Sequence, residues 1–217
     1  MKITGYLLDI DGTLLDSKEA HTRAWQRTLE AHGIVKELGE IAFDFAAPDS
    51  DVVPELFGID EVNSVEEITQ EKNDFFIEEL SAIPLFPNVP EVLARIHDIE
   101  GAICFVSSNL DRVIEGMLVA YGWDALDTRF VGLDGVTRAK PGSEMVIKAL
   151  DKLGIEASGC VMIGDSTADV VAGRAAGIWT IAINSSGNSQ AALVQVQPDL
   201  ILGSIGELLP LLPLEFG

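Results

Sequence analysis

Asp9-Ile10-Asp11-Gly12-Thr13 closes the apolar run from Ile3 to Leu8, and the rest of the chain takes its order from that junction. A short apolar run stopped by Gly12 predicts a buried parallel strand that delivers two carboxylates to a loop. Acids separated by one residue point the same way while the strand persists. Neighbouring carboxylates repel when both are charged, so they split each other's titration or gather a cation. Taken alone, the pentapeptide also reads as an ordinary Asp/Gly turn.

The chain has 217 residues, 47% of them apolar, which suits one sizeable domain or a core with a smaller satellite. No apolar run reaches 18 residues and no charged region precedes a long apolar one at the N-terminus, so the expectation is a cytoplasmic protein without a membrane span or signal peptide. A formal net charge of -21 argues against nucleic acid and anionic membranes as partners. An anionic substrate would need a metal and a few placed cations. Cys104 and Cys160 lie inside apolar runs and read as buried free thiols.

Downstream of Thr13, residues from about 17 to 84 read as helical. Lys18 to Ala31 has apolar residues at helical spacing, with Ser17 as a cap and Gly33 as a stop. Gly39 to Ile59 is weaker, with a break at Ala46-Ala47-Pro48-Asp49-Ser50 between two short helices. A third helix is expected to open on a capping box of Ser64 and Glu67 and to run toward Pro84. From Phe86 the rhythm alternates. Helices are predicted at Val89–Asp98, Asp111–Tyr121, Ser143–Leu153, Thr167–Ala176 and Ile205 to about Leu209. Strands are predicted at Ala102–Val106, near Phe130-Val131, and at Cys160–Ile163, Ile178–Ile183 and Leu200–Leu202. The predicted fold is α/β: a Rossmann-like parallel sheet with helices on both faces, residues 1–16 and 86–217 forming the core, with an inserted helical segment at 17–85.

Chemistry-bearing residues gather where strands end, as such folds require of their sites. Besides Asp9 and Asp11 these are Ser107-Ser108-Asn109, Lys140-Pro141, and Gly164-Asp165-Ser166-Thr167-Ala168-Asp169. Each has a plain reading: a Ser/Asn turn, a solvated lysine, an acid capping a helix. The hydroxyls and N–H groups of Ser107 to Asn109 equally suit phosphate oxygens, and Asp165 with Asp169 equally suits magnesium. Two acidic loops, a hydroxyl turn and a lysine at successive strand ends make coincidence the worse explanation.

With these residues in place, the chain resembles the haloacid dehalogenase-like hydrolase superfamily, in the helical-cap phosphatase branch of the phosphoglycolate phosphatase and β-phosphoglucomutase kind. The first motif is matched by Asp9, Asp11, Gly12 and Thr13, the second by Ser107, the third by Lys140 with Pro141, and the fourth by Gly164, Asp165, Ser166 and Asp169. Phe86-Pro87-Asn88-Val89-Pro90 looks like the return from cap to core, with Asn88 where glycine is usual, and Ala175-Ala176-Gly177 also fits. The resemblance implies Mg2+-dependent hydrolysis of a small phosphorylated metabolite through an aspartyl-phosphate. Asp9 would be the nucleophile, Asp11 the acid and base, and Lys140 the balancing charge. Thr13, Ser107, Ser108 and Asn109 would hold the phosphate, and Asp9, Asp11 (through its carbonyl), Asp165 and Asp169 would serve the metal, Asp169 more from behind than as a direct ligand. Asp11 argues against haloalkanoate dehalogenation, which needs no acid for an alkoxide.

In the cap, His21 lies where related enzymes carry a histidine that reaches the site, and it equally reads as an interfacial residue one turn from Trp25. His32 and His97 read as surface residues; Lys72 either faces the site from the second cap helix or, as the plainer reading, is solvated. No Arg or Lys lies between Lys36 and Lys72, which disfavours a substrate with a second phosphate and weakens the phosphosugar mutase alternative. A phospho-acceptor module or idle binding protein is the alternative from another class. The expected assembly is a monomer or homodimer.

Overall fold

The computed structural model describes residues 2–45, 47–59, 61–185 and 190–216. The strands are β1 (Gly5–Leu8), β2 (Ala102–Val106), β3 (Arg129–Val131), β4 (Cys160–Gly164), β5 (Trp179–Ile183) and β6 (Leu200–Leu202). They form one parallel sheet in the order β3-β2-β1-β4-β5-β6. β1 is central, its Leu7 in register with Cys104 on one side and Met162 on the other. The chain reverses its direction of travel across the sheet at β1, and in such sheets the crevice beyond the strand ends at that point receives ligands.

Strand residues alternate between two cores, as a period of two dictates. Tyr6, Leu8, Phe105 and Ile163 pack on one face with α4 (Val89–Asp98) and α5 (Asp111–Tyr121). Leu7, Cys104, Val106 and Met162 pack on the other with α6 (Glu144–Leu153) and with Ala172 of α7 (Thr167–Ala175). A third cluster joins Trp25 and Leu29 of α1 (Lys18–Ala31), Val52, Val53 and Leu56 of α2 (Asp49–Phe57), and Ile68 of α3 (Val62–Glu79). The helical segment thus buries apolar surface of its own.

Several local expectations change. Ser17 does not cap α1; its hydroxyl is drawn to Asp11 instead. α3 starts two residues before Ser64, so the Ser64/Glu67 capping box does not form. The stretch from Gly39 to Ile59 holds one 3₁₀ turn at Leu38–Glu40 and one helix, α2, which takes in Asp49 and Ser50 of the expected break. Ala46 of that break lies outside the described residues. The last helix is a 3₁₀ segment, Ile205–Leu211, and the short helix α8 (Gln190–Gln195) was not foreseen. Asn88 takes the left-handed conformation, φ 68°, which asparagine tolerates better than most residues and which explains its standing in for glycine. Among the described residues, no helix is long and apolar enough to cross a membrane.

Candidate active site

The ends of β1, β2 and β4 and the loop before α6 meet α1 and α2 around a cleft of about 270 Å³. Asp9, Asp11, His21, Ser107, Ser108, Asn109, Lys140 and Asp165 all line it. The groups predicted from four separate strand ends therefore do share one space.

Asp9 and Lys140 form its floor. Lys140 Nζ donates to Asp9 Oδ1 at 2.6 Å, to Asp169 Oδ1 at 2.7 Å and to the Val106 carbonyl at 2.9 Å, which uses all three of its protons. Both Asp9 and Lys140 are buried. Burial pushes the Asp9 carboxyl well up; Lys140 pulls it back, while the nearby charges of Asp169 and Asp165 push the same way as burial. Burial works against the charge on Lys140, but Asp169 and Asp9 outweigh it and hold the ammonium above its ordinary range. Three acids against one lysine leave a surplus of negative charge, which a further cation would relieve.

Asp9, Asp165 and Asp169 each offer a carboxylate oxygen, and these lie within 4.8 Å of one another. All-oxygen donors suit a hard divalent cation such as Mg2+. Asp169 is committed on both oxygens: Lys140 holds its Oδ1, while Ser166 donates to its Oδ2 from backbone at 3.0 Å and from hydroxyl at 2.6 Å. It seats Lys140 and starts α7 with a capping box. The Asp11 side chain stands outside this cluster, so only its main chain is left for a metal.

Thr13 is fully buried, and its hydroxyl faces Asp9 Oδ2 at 3.1 Å and Asp165 Oδ1 at 3.3 Å, where it orients the two acids. Gly12 is required at the same turn: its φ is +80°, and a Cβ there would come within 2.5 Å of Asp165 Oδ2.

Ser107 is buried, and its Oγ accepts from the backbone and side-chain N–H groups of Asn109, at 3.2 and 3.0 Å. The serine's own proton is thereby turned to other acceptors. Asn109 also donates to Asp11 Oδ2 at 2.5 Å, so it ties the second motif to the first more than it awaits a phosphate.

Asp11 faces the helical segment. Ser17 donates to its Oδ1 at 2.5 Å and His21 Nε2 lies 3.3 Å from the same oxygen. Burial pushes this carboxyl up, but His21, Ser17 and Asn109 together outweigh burial and leave it below its ordinary range. His21 is fixed from behind: Lys72 Nζ lies 2.8 Å from its Nδ1, and the ring stacks on Phe76 at 3.9 Å. A lysine ammonium only donates, so Nδ1 accepts and the imidazole proton sits on Nε2, directed at Asp11. Burial and Lys72 both lower the histidine's basicity, which keeps it neutral.

Lys72 departs from its plainer, solvated reading. It is fully buried, not solvated, and also donates to Asp49 Oδ2 at 2.7 Å. His32 is exposed and meets Glu71 at 2.8 Å. Asp49 and its pairing with Lys72 were not foreseen, although one signal of the lysine's burial was there. Ile68, Lys72 and Phe76 recur at i, i+4 and i+8, which sets the lysine in the middle of the apolar face of α3.

The model for haloacid dehalogenase-like hydrolases matches residues 6–183. Pyrophosphatase PpaX of Oceanobacillus iheyensis is 27% identical, over 96% of this chain and 96% of its own length. A solved structure from Bacteroides fragilis, assigned to the haloacid dehalogenase-like hydrolases, superposes with a TM-score of 0.85 at 26% identity, covering 95% of this chain and all of that one. CbbY from Rhodobacter sphaeroides, solved with phosphate, shares the fold at a TM-score of 0.80 and 20% identity, covering 95% and 96% of the two chains. With its motifs gathered in one cleft and the match spanning most of its length, the chain belongs to the haloacid dehalogenase-like hydrolases and is a phosphatase of that family.

Proposed function

We propose that this phosphatase hydrolyses a small phosphomonoester with one phosphate on a neutral or cationic body, through an aspartyl-phosphate on Asp9. One observation carries the reading: Asp9 is buried against Lys140 at 2.6 Å while Asp11 faces the same cleft from two residues away. Residues 17–85 act as a cap over a core made of 1–16 and 86–217.

An Asp9 oxygen attacks phosphorus and the phosphorus–oxygen bond to the alcohol breaks. Asp11 enters each turnover carrying the proton it took from water in the one before and gives it to the departing alkoxide; it then takes a proton from the water that attacks the phospho-aspartate, which releases phosphate and restores both acids. Lys140 holds Asp9 in place and offsets its charge, and the Ser107 hydroxyl and Ser108 backbone hold the phosphoryl oxygens. Asp9, Asp165 and the Asp11 carbonyl would hold Mg2+, which when bound offsets the charge of the phosphate dianion. His21 keeps its Nε2 proton on Asp11 and so holds the acid toward the cleft.

Selectivity comes from the opposite wall, where Phe43, Asp44, Phe45 and Asp49 face the floor. Among the described lining residues, Lys18 is the one Lys or Arg besides Lys140. A second phosphate would meet two acids there. Pyrophosphate is the second reading, favoured by the name of the Oceanobacillus relative, with Lys18 as the available counter-charge.

The test is turnover of p-nitrophenyl phosphate with Mg2+ and after its removal by EDTA, in the native enzyme and in Asp9→Asn. Magnesium-dependent turnover that Asp9→Asn abolishes is expected; turnover indifferent to the substitution would remove Asp9 as nucleophile. A panel of sugar phosphates, polyol phosphates, bisphosphates and pyrophosphate then decides the substrate, and pyrophosphate or a bisphosphate as best substrate would overturn the single-phosphate reading.

A further inference from the structure

A run of five rings crosses the helical segment above the floor. Phe76 stacks on His21 at 3.9 Å, His21 meets Phe45 at 5.4 Å and 77°, Phe45 lies 6.5 Å from Phe43, and Phe43 lies 6.4 Å from Trp25. Both ends, Phe76 and Trp25, are fully buried. The run opens at Phe43 and Phe45, which are half-buried and line the catalytic cleft. These two are not equivalent. Phe43 packs against the apolar cluster of Trp25, Leu29 and Ile68 and so serves the fold. Phe45 joins none of the apolar clusters among the described residues, where its ring contacts are with His21 and Phe43.

The place of Phe45 decides which part of a substrate it meets. His21 Nε2 lies 3.3 Å from Asp11 Oδ1, and Asp11 is the group proposed to protonate the leaving oxygen. The carbon body attached to that oxygen lies past His21, against Phe45, the next ring of the run. The rest of this wall is Phe43, Ala47, the exposed Asp44, and Asp49, which Lys72 already holds. A body rich in hydroxyls would set them against rings that return no hydrogen bond for the water they lose. A flat ring would cover the open part of Phe45 and gain offset or edge-on aromatic contact.

We infer that Phe45 determines specificity and that the substrate class is the phosphomonoester of an aromatic alcohol, its phosphate on the floor of the cleft and its ring against Phe45. This rests on the phosphatase reading above and sharpens the body of the substrate to an aromatic one. The ester bond breaks as before, and the ring leaves as part of the alcohol.

Benzyl phosphate and cyclohexylmethyl phosphate are the matched probes: each releases a primary alcohol of similar size, and they differ in whether the ring is aromatic. Glycerol 1-phosphate supplies a hydroxylated body. The readout is the ratio of kcat/KM values on one preparation, which cancels differences in folding and in catalytic competence. The native enzyme is expected to favour benzyl over cyclohexylmethyl phosphate by about threefold to tenfold, and over glycerol 1-phosphate by about tenfold or more. Phe45→Leu should bring the first ratio to about one, and Phe45→Tyr should keep it. The native ratios stand as the test should Phe45→Leu misfold. A native ratio near one on the matched pair, or a preference for glycerol 1-phosphate, would overturn this inference alone. A preference for the benzyl ester that Phe45→Leu leaves unchanged would put the ring elsewhere and likewise overturn it. Failure to release phosphate from any of the three esters or from p-nitrophenyl phosphate would overturn the phosphatase reading and this inference with it.

Discussion

On the floor of the cleft, Asp9, Ser107 and Asp165 come from the ends of three strands and Lys140 from a loop beside them. On the roof, His21, Asp49 and Lys72 come from three helices that lie together only after folding. The floor is set by backbone register: Leu8 pairs with Phe105 and with Ile163, so the residues that follow must emerge side by side. The roof is set by side-chain pairing, in a chain of contacts from Asp49 through Lys72 and His21 to Asp11. The two halves meet at Asp11, whose Oδ1 is held by the roof and whose Oδ2 is held by Asn109 of the core. The comparison teaches that Asp9, the proposed nucleophile, answers to the core, whereas Asp11, the proposed acid–base group, answers to both.

Substitutions should separate the halves. Asp9→Asn, on the floor, should cost at least about 10⁴-fold in kcat, since no other group can replace the attacking oxygen. Asp11→Asn should cost about 10²- to 10⁴-fold on an alkyl phosphate, measured by released phosphate. Its cost should be smaller on pyrophosphate, whose leaving group departs without a proton. Lys72→Met, on the roof, leaves His21 without its fixing donor and Asp49 without its partner. A fall of about tenfold to a hundredfold in kcat, with KM for p-nitrophenyl phosphate little changed, is expected. If Lys72→Met instead raised KM alone, the roof would be holding substrate and not Asp11.

How far the sequence foretold the molecule follows the same division. The strand ends were legible because apolar runs closed by Gly-Asp or Ser-Ser advertise both the strand and its exit. The β2, α4, α5 and β6 bounds came out as predicted. That the Thr13 hydroxyl meets Asp9 and Asp165 was not legible, because a motif names a residue without saying which way its hydroxyl turns. Ser17 was taken for a cap because a serine before a helix usually accepts from the helix's first N–H groups, but here its hydroxyl donates to a carboxylate 2.5 Å away and its oxygen makes no capping bond. The spacing of Ile68, Lys72 and Phe76 set the lysine on the apolar face of α3, but its partner Asp49 was missed because that pairing spans 23 residues.

The smallest effect concerns two groups outside both halves. Cys104 and Cys160 lie buried under the sheet, and burial pushes their thiols up to about 12 and about 11. At pH 8 both should resist DTNB in the folded enzyme and react once urea unfolds it. Because their folded pKa values are raised, their contribution to stability is complete below the unfolded thiol value and declines as pH rises through the folded ones. Urea midpoints between pH 8 and 11 should show that decline.

The account turns on a covalent bond between phosphorus and one oxygen of Asp9. Rapid mixing of the native enzyme with substrate and Mg2+, a quench within one turnover, borohydride reduction and peptide mass spectrometry would look for it directly. A phosphorylated aspartate at position 9 is reduced to homoserine, and that conversion is the expected result. Full turnover with position 9 unmodified, or homoserine at another acid of the cleft, would contradict it.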